Sequence, residues 1–286
     1  MRGRKMMRHF APAVLCAVVL FTALLCTACT SNSPDENAAS ERSEAQETVS
    51  FAGEQVVIDP ELEGSRFSDT DFTTDENTGR ITCLSGNALT GVDVSSHQGE
   101  IDWVQTAQDG IDFAILRIGR RGYTEGGLSA DSCFETNYSG CIQQGLQVGV
   151  YFFSQAVTPD EAEEEAEYVL SLLDGRELGL PIVFDWEMIE DEDARTQGIG
   201  YETVTACAKA FCDRVEQEGY RAAFYFNDVL GFLSYDFSVM QDYDAWYAEY
   251  SSWPAFIYRF DLWQYSSSGS VAGISGDVDM DLWFCE

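Results

Sequence analysis

Two hydrophobic patterns alternate along most of the chain. Short, nearly continuous apolar runs, typical of buried strands, are separated by segments in which apolar residues recur every three or four positions, as in amphipathic helices. The predicted strands of this alternating part are 92–95, 112–119, 146–154, 180–187 and 221–227. The predicted helices are 101–109, 131–144, 159–173 and 201–218. This alternation predicts parallel strands with helices packed outside them.

The pattern changes after Asn227. Three more strand-like runs follow, at 244–250, 260–265 and 279–285, and the gaps between them are too short for a full crossover helix. The fold class predicted for residues 90–286 is therefore α/β, an incomplete TIM-like (β/α)5β3 barrel in which five βα units precede three bare strands.

The residues before the predicted barrel divide into three segments of different composition. Basic residues precede an apolar run that ends in small residues, so 1–29 is predicted to be a signal peptide. Residues 30–65 are rich in Ser, Glu, Asp and Ala and are predicted to form a disordered acidic linker. Apolar residues are sparse in 66–89, which is predicted to be an extension packed on the barrel.

The end of the signal peptide predicts a site of lipid attachment. Residues 25–29, LCTAC, resemble a bacterial lipobox in which Cys29 is acylated, although position 26 holds a cysteine where leucine is usual. The prediction is an extracytoplasmic lipoprotein held at a membrane surface, with ordinary secretion or an uncleaved anchor as the alternatives.

Composition and charge narrow the function. Hydrophobic residues make up 45% of the chain, which excludes global disorder. The net charge of −33 repels nucleic acid and anionic lipid, so no nucleic-acid partner is predicted and membrane contact is predicted only through the N-terminal lipid. The only histidines are His9 and His97, which argues against a multi-histidine metal site. No metal or cofactor is predicted, and the oligomeric state stays open.

Six of the nine cysteines lie beyond the signal peptide, which permits up to three disulfides in an exported protein. However, Cys133 and Cys141 fall on one predicted helix, roughly 12 Å apart and too far for a bond. Cys207 and Cys212 also share a helix. Disulfides and buried thiols therefore both stay open.

Four carboxylates fall where the chemistry of an α/β barrel is found, near the mouth of the barrel. Asp185 and Glu187 end an apolar strand and, being two residues apart, project from the same face. Asp93 lies in the first strand and Asp279 in the last, and these strands become neighbours when the barrel closes. A pair of carboxylates suits cleavage of a glycosidic bond, because one can donate a proton while the other supports positive charge on the sugar ring. The rough spacing of the pair fits both the retaining and the inverting geometry.

Aromatic residues on the later strands are candidates for stacking against sugar rings. Their strand positions are also compatible with an ordinary core, and the sequence leaves both interpretations open. These residues are Tyr225, Trp246, Tyr247, Trp263 and Tyr265.

An ordered set of eight runs resembles the glycoside hydrolase family 25 lysozymes over about residues 88–286. The runs are GVDVSSHQGEIDW (91–103), DFAILRIG (112–119), QVGVYFFSQA (147–156), PIVFDWE (181–187), GYRAAFYFN (219–227), AWYAEY (245–250), LWQYSSSG (262–269) and VDMDLWF (278–284). The resemblance implies a (β/α)5β3 barrel. It also implies a muramidase that cuts the β-1,4 bond between N-acetylmuramic acid and N-acetylglucosamine, with peptidoglycan glycan strands as its partner.

The resemblance also implies roles for individual residues. Glu187 would be the proton donor and Asp185 its partner, with Asp93 and Asp279 completing the acidic mouth. The positions that match the family's substrate groove are Arg117, Tyr151, Tyr225, Trp246 and Gln264.

The chain departs from the family pattern at two places. Many members carry Tyr-His-Tyr where residues 151–153 here read Tyr-Phe-Phe. The usual Leu-Asn after the last aspartate is here Met280-Asp281, which adds an acid near the mouth.

Two other functions compete with the muramidase. A barrel that binds wall glycan without cutting it is one, and the intact Asp185/Glu187 pair argues against it. A metal-dependent phosphodiesterase is the other, in which the four carboxylates would hold Mg²⁺ or Ca²⁺. The scarcity of histidine and of clustered Lys and Arg argues against this second alternative.

Overall fold

The computed structural model describes residues 47–285, and the chain divides into two compact units, Met1–Pro60 and Glu61–Glu286. The predicted signal peptide, the predicted lipid attachment at Cys29 and the first part of the predicted linker lie outside the described residues. Across residues 47–285, no helix combines the length and apolar character needed to span a membrane.

The described part of the first unit contains a β-hairpin. Strands β1 (Thr48–Phe51) and β2 (Glu54–Val57) pair antiparallel around a two-residue turn, where Ala52 and Gly53 both adopt positive φ. The sequence analysis predicts a disordered linker over 30–65, and the structure differs from it here. The two short runs TVSF and EQVV are rich in β-branched residues, which the acidic composition of the surrounding segment obscured.

The second unit contains eleven strands and six α-helices. The strands are β3 (Phe72–Thr74), β4 (Ile81–Cys83), β5 (Ala88–Val94), β6 (Phe113–Arg121), β7 (Leu128–Ala130), β8 (Gln147–Ser154), β9 (Ile182–Trp186), β10 (Ala222–Asn227), β11 (Asp244–Ala248), β12 (Leu262–Gly269) and β13 (Val278–Phe284). The helices are α1 (Trp103–Gln108), α2 (Phe134–Gln144), α3 (Pro159–Leu173), α4 (Tyr201–Gln217), α5 (Asp228–Leu233) and α6 (Phe237–Met240).

Eight of these strands close into a barrel in the order β5-β6-β8-β9-β10-β11-β12-β13, with β13 paired back to β5. Neighbouring barrel strands from β5 through β6 and β8 to β12 run parallel, whereas β13 runs antiparallel to both of its neighbours. The short strand β7 lies outside the barrel order and pairs antiparallel with β6. The predicted (β/α)5β3 barrel is confirmed. The fifth unit carries the short helices α5 and α6, which the sequence analysis did not predict.

The reversed direction of β13 determines which of its residues reach the mouth. In a parallel barrel strand the last residues lie there, but in β13 the first residues do. Asp279, near the start of β13, is therefore in register with Asp93, near the end of β5.

Local sequence signals fix the helix starts. Helix α3 begins with Pro159 in its first turn, and the Thr158 hydroxyl accepts a hydrogen bond from the Glu161 backbone N–H at 3.3 Å. The side chain of Asp102 caps α1 in the same way, by accepting from the backbone N–H groups of Val104 and Gln105. These caps set the ends of the loops that follow β8 and β5 at the mouth.

The lower part of the barrel is closed by an apolar plug. Inward-facing residues of several barrel strands form a buried cluster that includes Phe113, Ile115 and Val183. Gly91 is required for this packing, because a Cβ atom at that position would lie 2.2 Å from Cε2 of Phe113. The carboxylates above the plug therefore stand on an apolar floor.

The segment before β5 covers the outer face of the last two strands, where the barrel has no helices. Phe67 packs on Phe284 with ring centroids 4.3 Å apart, and Phe72 meets Trp263 edge-on at 5.2 Å. Strands β3 and β4 pair antiparallel, and β4 buries Ile81 in the same core. This segment takes the place of the missing helices in excluding water from β12 and β13.

All six cysteines of the described part are free thiols. Cys141, Cys207 and Cys212 are buried on the inner faces of helices, and burial raises the pKa of the Cys207 thiol to about 12. These three behave as small core residues rather than as reactive groups.

Candidate active site

A cavity of about 220 Å³ opens at the mouth of the barrel, above the apolar plug. All nine residues that the sequence analysis places at the site line it: Asp93, Arg117, Tyr151, Asp185, Glu187, Tyr225, Trp246, Gln264 and Asp279. Phe153 and Tyr250 also line it and were not predicted. All eight barrel strands, or the loop ends that follow them, thus contribute to one site.

Asp185 and Glu187 stand side by side on this cavity. Asp185 is the fourth residue of β9 and Glu187 follows its end, while Trp186 between them points outward and donates to the Ala156 carbonyl at 3.1 Å. The two carboxyl groups lie close enough together to hydrogen-bond when one of them is protonated. Asp185 is buried and Glu187 is partly exposed, so Glu187 is the member that faces the open cavity.

This pair retains a proton more strongly than exposed acids do. Burial raises the pKa of Asp185 well above its usual range, the nearby charge of Glu187 raises it further, and Arg117 opposes the shift. Burial likewise raises the pKa of Glu187, with the charge of Asp279 as the second cause. Because both pKa values are raised, the pair as a unit holds a proton at a pH where exposed acids have ionised, and that proton can form a hydrogen bond between the two carboxyl groups.

The backbone of Glu187 is held by a buried amide. The side chain of Gln155, which follows β8, donates to the Glu187 carbonyl at 3.0 Å and accepts from the Thr196 hydroxyl at 3.3 Å. Gln155 is fully buried. It therefore fixes the end of β9 relative to the next loop.

Gln264 links one of the acids to two tyrosines. Its amide nitrogen donates to Asp93 at 2.7 Å, and its amide oxygen accepts from the hydroxyls of Tyr225 at 3.2 Å and Tyr250 at 3.0 Å. Burial raises the pKa of Asp93 well above its usual range, and it raises the pKa of Asp279 to about 6. The opposite wall of the cavity is therefore also rich in protonatable groups.

Arg117 supplies the positive charge in the cavity lining. Its guanidinium donates to Asp131 at 2.8 Å and to the Ser96 hydroxyl at 3.0 Å. Asp131 also accepts from the backbone N–H groups of Ser96 and Cys133, so it joins the turn after β5 to the start of α2. The sequence analysis did not single out Asp131, because an aspartate at the start of a predicted helix is usually interpreted as a helix N-cap.

The aromatic residues divide into two groups. Trp246 lies on the cavity with its ring edge-on to Tyr225 at 5.1 Å and to Tyr151 at 6.2 Å. Tyr247, Trp263 and Tyr265 lie in the outer core between the strands and the layer around them, so they do not face the cavity. Alternation along β11 and β12 explains the division, since adjacent residues point to opposite sides.

The arrangement can deliver a proton to a bound ligand next to aromatic faces. A carboxyl pair that keeps a proton can act as a general acid, and tryptophan and tyrosine rings form platforms for the apolar faces of sugars. Within the described range 47–285, no three His, Cys, Asp or Glu side chains are grouped so as to hold a metal ion.

A family model and curated relatives both relate this chain to glycosyl hydrolases. The family described as "Glycosyl hydrolases family 25" matches residues 92–274. The chain is 28% identical over 199 residues to the autolytic lysozyme of Clostridium acetobutylicum, an alignment that covers 68% of this chain and 55% of that protein. It is 27% identical over 206 residues to lysozyme M1 of Streptomyces globisporus, over 68% of this chain and 67% of that protein.

A solved structure has the same fold. The family 25 glycosyl hydrolase from Bacillus anthracis superimposes with a TM-score of 0.61 at 19% identity, over 75% of this chain and 96% of that structure. The chain thus spans about half of the length of one curated relative and two thirds of the other.

Proposed function

The chain belongs to glycosyl hydrolase family 25, and from this membership we propose that it is a muramidase. Its substrate would be the glycan strand of peptidoglycan, cut at the β-1,4 bond between N-acetylmuramic acid and N-acetylglucosamine. The observation that carries the proposal is the proximity of Asp185 and Glu187, two acids whose pKa values are raised by burial at the edge of a cavity. The names of the two lysozyme relatives support the same activity.

Glu187 is the residue that passes the proton to the substrate in this proposal. Leaving-group departure from a glycosidic bond needs protonation of the bridging oxygen, and Glu187 is the more exposed member of the pair. The transfer leaves Glu187 as a carboxylate, and the more deeply buried Asp185 beside it contributes a second negative charge. These two charges face the sugar ring as positive charge develops there.

The other lining residues would bind and orient the glycan. Trp246, Tyr151 and Tyr225 present ring faces and edges of the kind that pack against sugars. Arg117 and Gln264 present donors, and Gln264 also positions Asp93. Asp93 and Asp279 keep the local field negative, which favours a cationic transition state.

The products released from purified peptidoglycan test this function. We expect mass spectrometry to find muramic acid at the new reducing ends, because the proposed cut falls on its glycosidic bond. Glucosamine at those ends would identify a different glycosidase, and freed peptides would identify an amidase. An intact polymer would favour the wall-binding alternative.

A chelator added to the same reaction tests the remaining alternative, a metal-dependent phosphodiesterase. The proposed acid catalysis uses only side chains, so we expect the same rate with and without EDTA. Loss of the reaction in EDTA, reversed by Mg²⁺ or Ca²⁺, would favour a metal-dependent enzyme instead.

We also propose that the chain acts outside the cytoplasm as a lipoprotein acylated at Cys29. The basic and apolar start, the lipobox-like LCTAC and the acidic linker support this proposal. In a bacterial host with a lipoprotein pathway, we expect the parent to fractionate with membranes and Cys29→Ser to move to the soluble extracytoplasmic fraction.

The matched control for this fractionation is Cys26→Ser, which changes the other cysteine of the same motif. It should leave the protein with the membranes. Equal fractionation of the parent and Cys29→Ser, together with an unmodified parent mass, would contradict lipid attachment.

A further inference from the structure

A second layer of acid lies beneath the mouth of the barrel. Asp281 is two residues beyond Asp279 on β13, so both side chains face the barrel interior. Asp281 is in register with Gln264 on β12 and with Gly91 on β5, and its side chain is 0% exposed. The nearby Arg117 pairs with Asp131 rather than with this carboxyl.

The two oxygens of Asp281 have different surroundings. Oδ1 accepts a hydrogen bond from the Trp246 indole N–H at 3.0 Å. Oδ2 is buried and, within residues 47–285, makes no well-formed hydrogen bond. The carboxyl group and the backbone N–H of Asp93 both lie within hydrogen-bonding reach of the Asp281 carboxyl.

A shared proton accounts for both observations. Ionised carboxylates are acceptors only, so two of them in contact would leave an uncompensated buried charge on each. If one of the two keeps its proton, the contact between Asp93 and Asp281 becomes a hydrogen bond. Burial and the neighbouring acids raise the pKa of both groups, which is consistent with this arrangement.

The surroundings of this pair supply little positive charge. The charged and titratable groups that face it are Asp279 on β13, Asp185 and Glu187 on β9, Arg117 on β6 and the phenols of Tyr151, Tyr225 and Tyr250. Ionisation of the pair would therefore add charge to a cavity that is already acidic.

We propose that Asp281 is a positioning residue that holds both the Trp246 ring and the Asp93 carboxyl. It holds Asp93 through a proton that the two carboxyl groups share. This arrangement confines activity to acidic pH. This inference rests on the proposed muramidase function. When the pH rises and the proton is lost, the two carboxylates repel each other and Asp93 and the ring lose their fixed positions. In Asp281→Asn, the side-chain amide would accept from the Trp246 N–H and donate to Asp93 at any pH.

The pH profile of kcat/KM on peptidoglycan tests the inference. Above the controlling pKa the parent should lose about tenfold per pH unit. In Asp281→Asn we expect that alkaline limb to move up by about one pH unit, which gives a kcat/KM about tenfold higher than that of the parent at alkaline pH. At acidic pH, kcat/KM should stay within about threefold of that of the parent. The matched control is Asp277→Asn, the same change at an exposed position four residues earlier, and it should follow the parent.

The direction in which the alkaline limb moves distinguishes a positioning role of Asp281 from the electrostatic effect of its charge on Glu187. Removal of a negative charge alone would lower the pKa of Glu187 and move the alkaline limb to lower pH. An alkaline limb that is unchanged, or that moves to lower pH, in Asp281→Asn overturns the proposal. If Asp281→Asn does not fold, Asp281→Ser, which also cannot ionise, is expected to give the same upward shift.

A further substitution at Asp281 tests its contact with the Trp246 ring. Asp281→Leu removes the acceptor of the Trp246 N–H, so we expect KM to rise about tenfold for a platform that is no longer fixed. Asp281→Asn should leave KM near that of the parent, because it keeps an acceptor. An unchanged KM in Asp281→Leu overturns the role in holding the ring.

Urea unfolding at pH 5 and pH 8 gives a readout that does not depend on activity. The raised pKa values of Asp93 and Asp281 mean that their stabilisation is complete below the unfolded value of about 3.9 and is lost as the pH rises through the folded values. Asp281→Asn should therefore lose less stability than the parent between pH 5 and pH 8. An equal loss of stability in the parent and in Asp281→Asn overturns the inference. If Asp281→Asn loses less stability as expected, but the parent cuts no peptidoglycan at any pH, only the proposed function is refuted.

Discussion

Glu187→Gln is expected to lower kcat on peptidoglycan by about 10²- to 10⁴-fold, the range typical for loss of a general acid. Glutamine has nearly the same shape, so it can occupy the same place on the cavity and still contact Asp185. It has no acidic proton to give to the glycosidic oxygen. KM should therefore change little, and the loss should be in turnover. The measurement is the initial rate of reducing-end release over a range of substrate concentrations.

The control for this variant is Glu190→Gln, the same change three residues further on at an exposed position. It should keep the parent's turnover, because Glu190 does not line the cavity. Circular dichroism should give matching spectra for the parent and both variants. A Glu187→Gln protein that folds and keeps most of the parent's turnover would show that another group delivers the proton.

Phe72→Ala is expected to lower the free energy of unfolding by about 3–5 kcal/mol, the usual cost of emptying a buried phenylalanine site. Phe72 is 8% exposed and contacts Trp263, Phe284 and Phe67. The cavity left behind would lie on the outer face of the barrel, where the extension stands in for a helix. Urea denaturation followed by far-ultraviolet circular dichroism measures the change.

Leu84→Ala provides the comparison within the same segment. Leu84 is 62% exposed, so its truncation should change the free energy of unfolding by less than about 0.5 kcal/mol. If Phe72→Ala were as stable as Leu84→Ala, the extension would not contribute to the barrel core. The barrel would then have to exclude water from β12 and β13 by some other means.

The strands and long helices of the barrel are predictable because their hydrophobic periods are strong. Helix α3 is the clearest example, since Thr158, Pro159 and Glu161 mark its start and its apolar stripe continues to Leu173. The helices α5 and α6 have six and four residues, too few to show a helical period. The hairpin at 48–57 is not predictable from composition, because its two four-residue strands lie within a longer acidic segment whose average composition hides them.

The candidate site was predictable where it depends on local geometry. Asp185 and Glu187 share a face because they are two residues apart, and no tertiary information is needed to see this. The partners of Arg117 and Gln264 could not be derived in the same way, because Asp131 and Tyr250 reach them from loops whose paths depend on the whole barrel. The same limit applies to Tyr247 and Trp263, whose orientation follows from strand register.

The pairing of β5 with β13 has a consequence for synthesis. The first strand of the barrel finds its second neighbour only when the last strand has been made, so the sheet cannot close while the polypeptide is still growing. A nascent chain stopped anywhere before residue 278 would expose one edge of β5 and would lack Asp279. Truncated products should therefore be both inactive and prone to aggregation through that open edge.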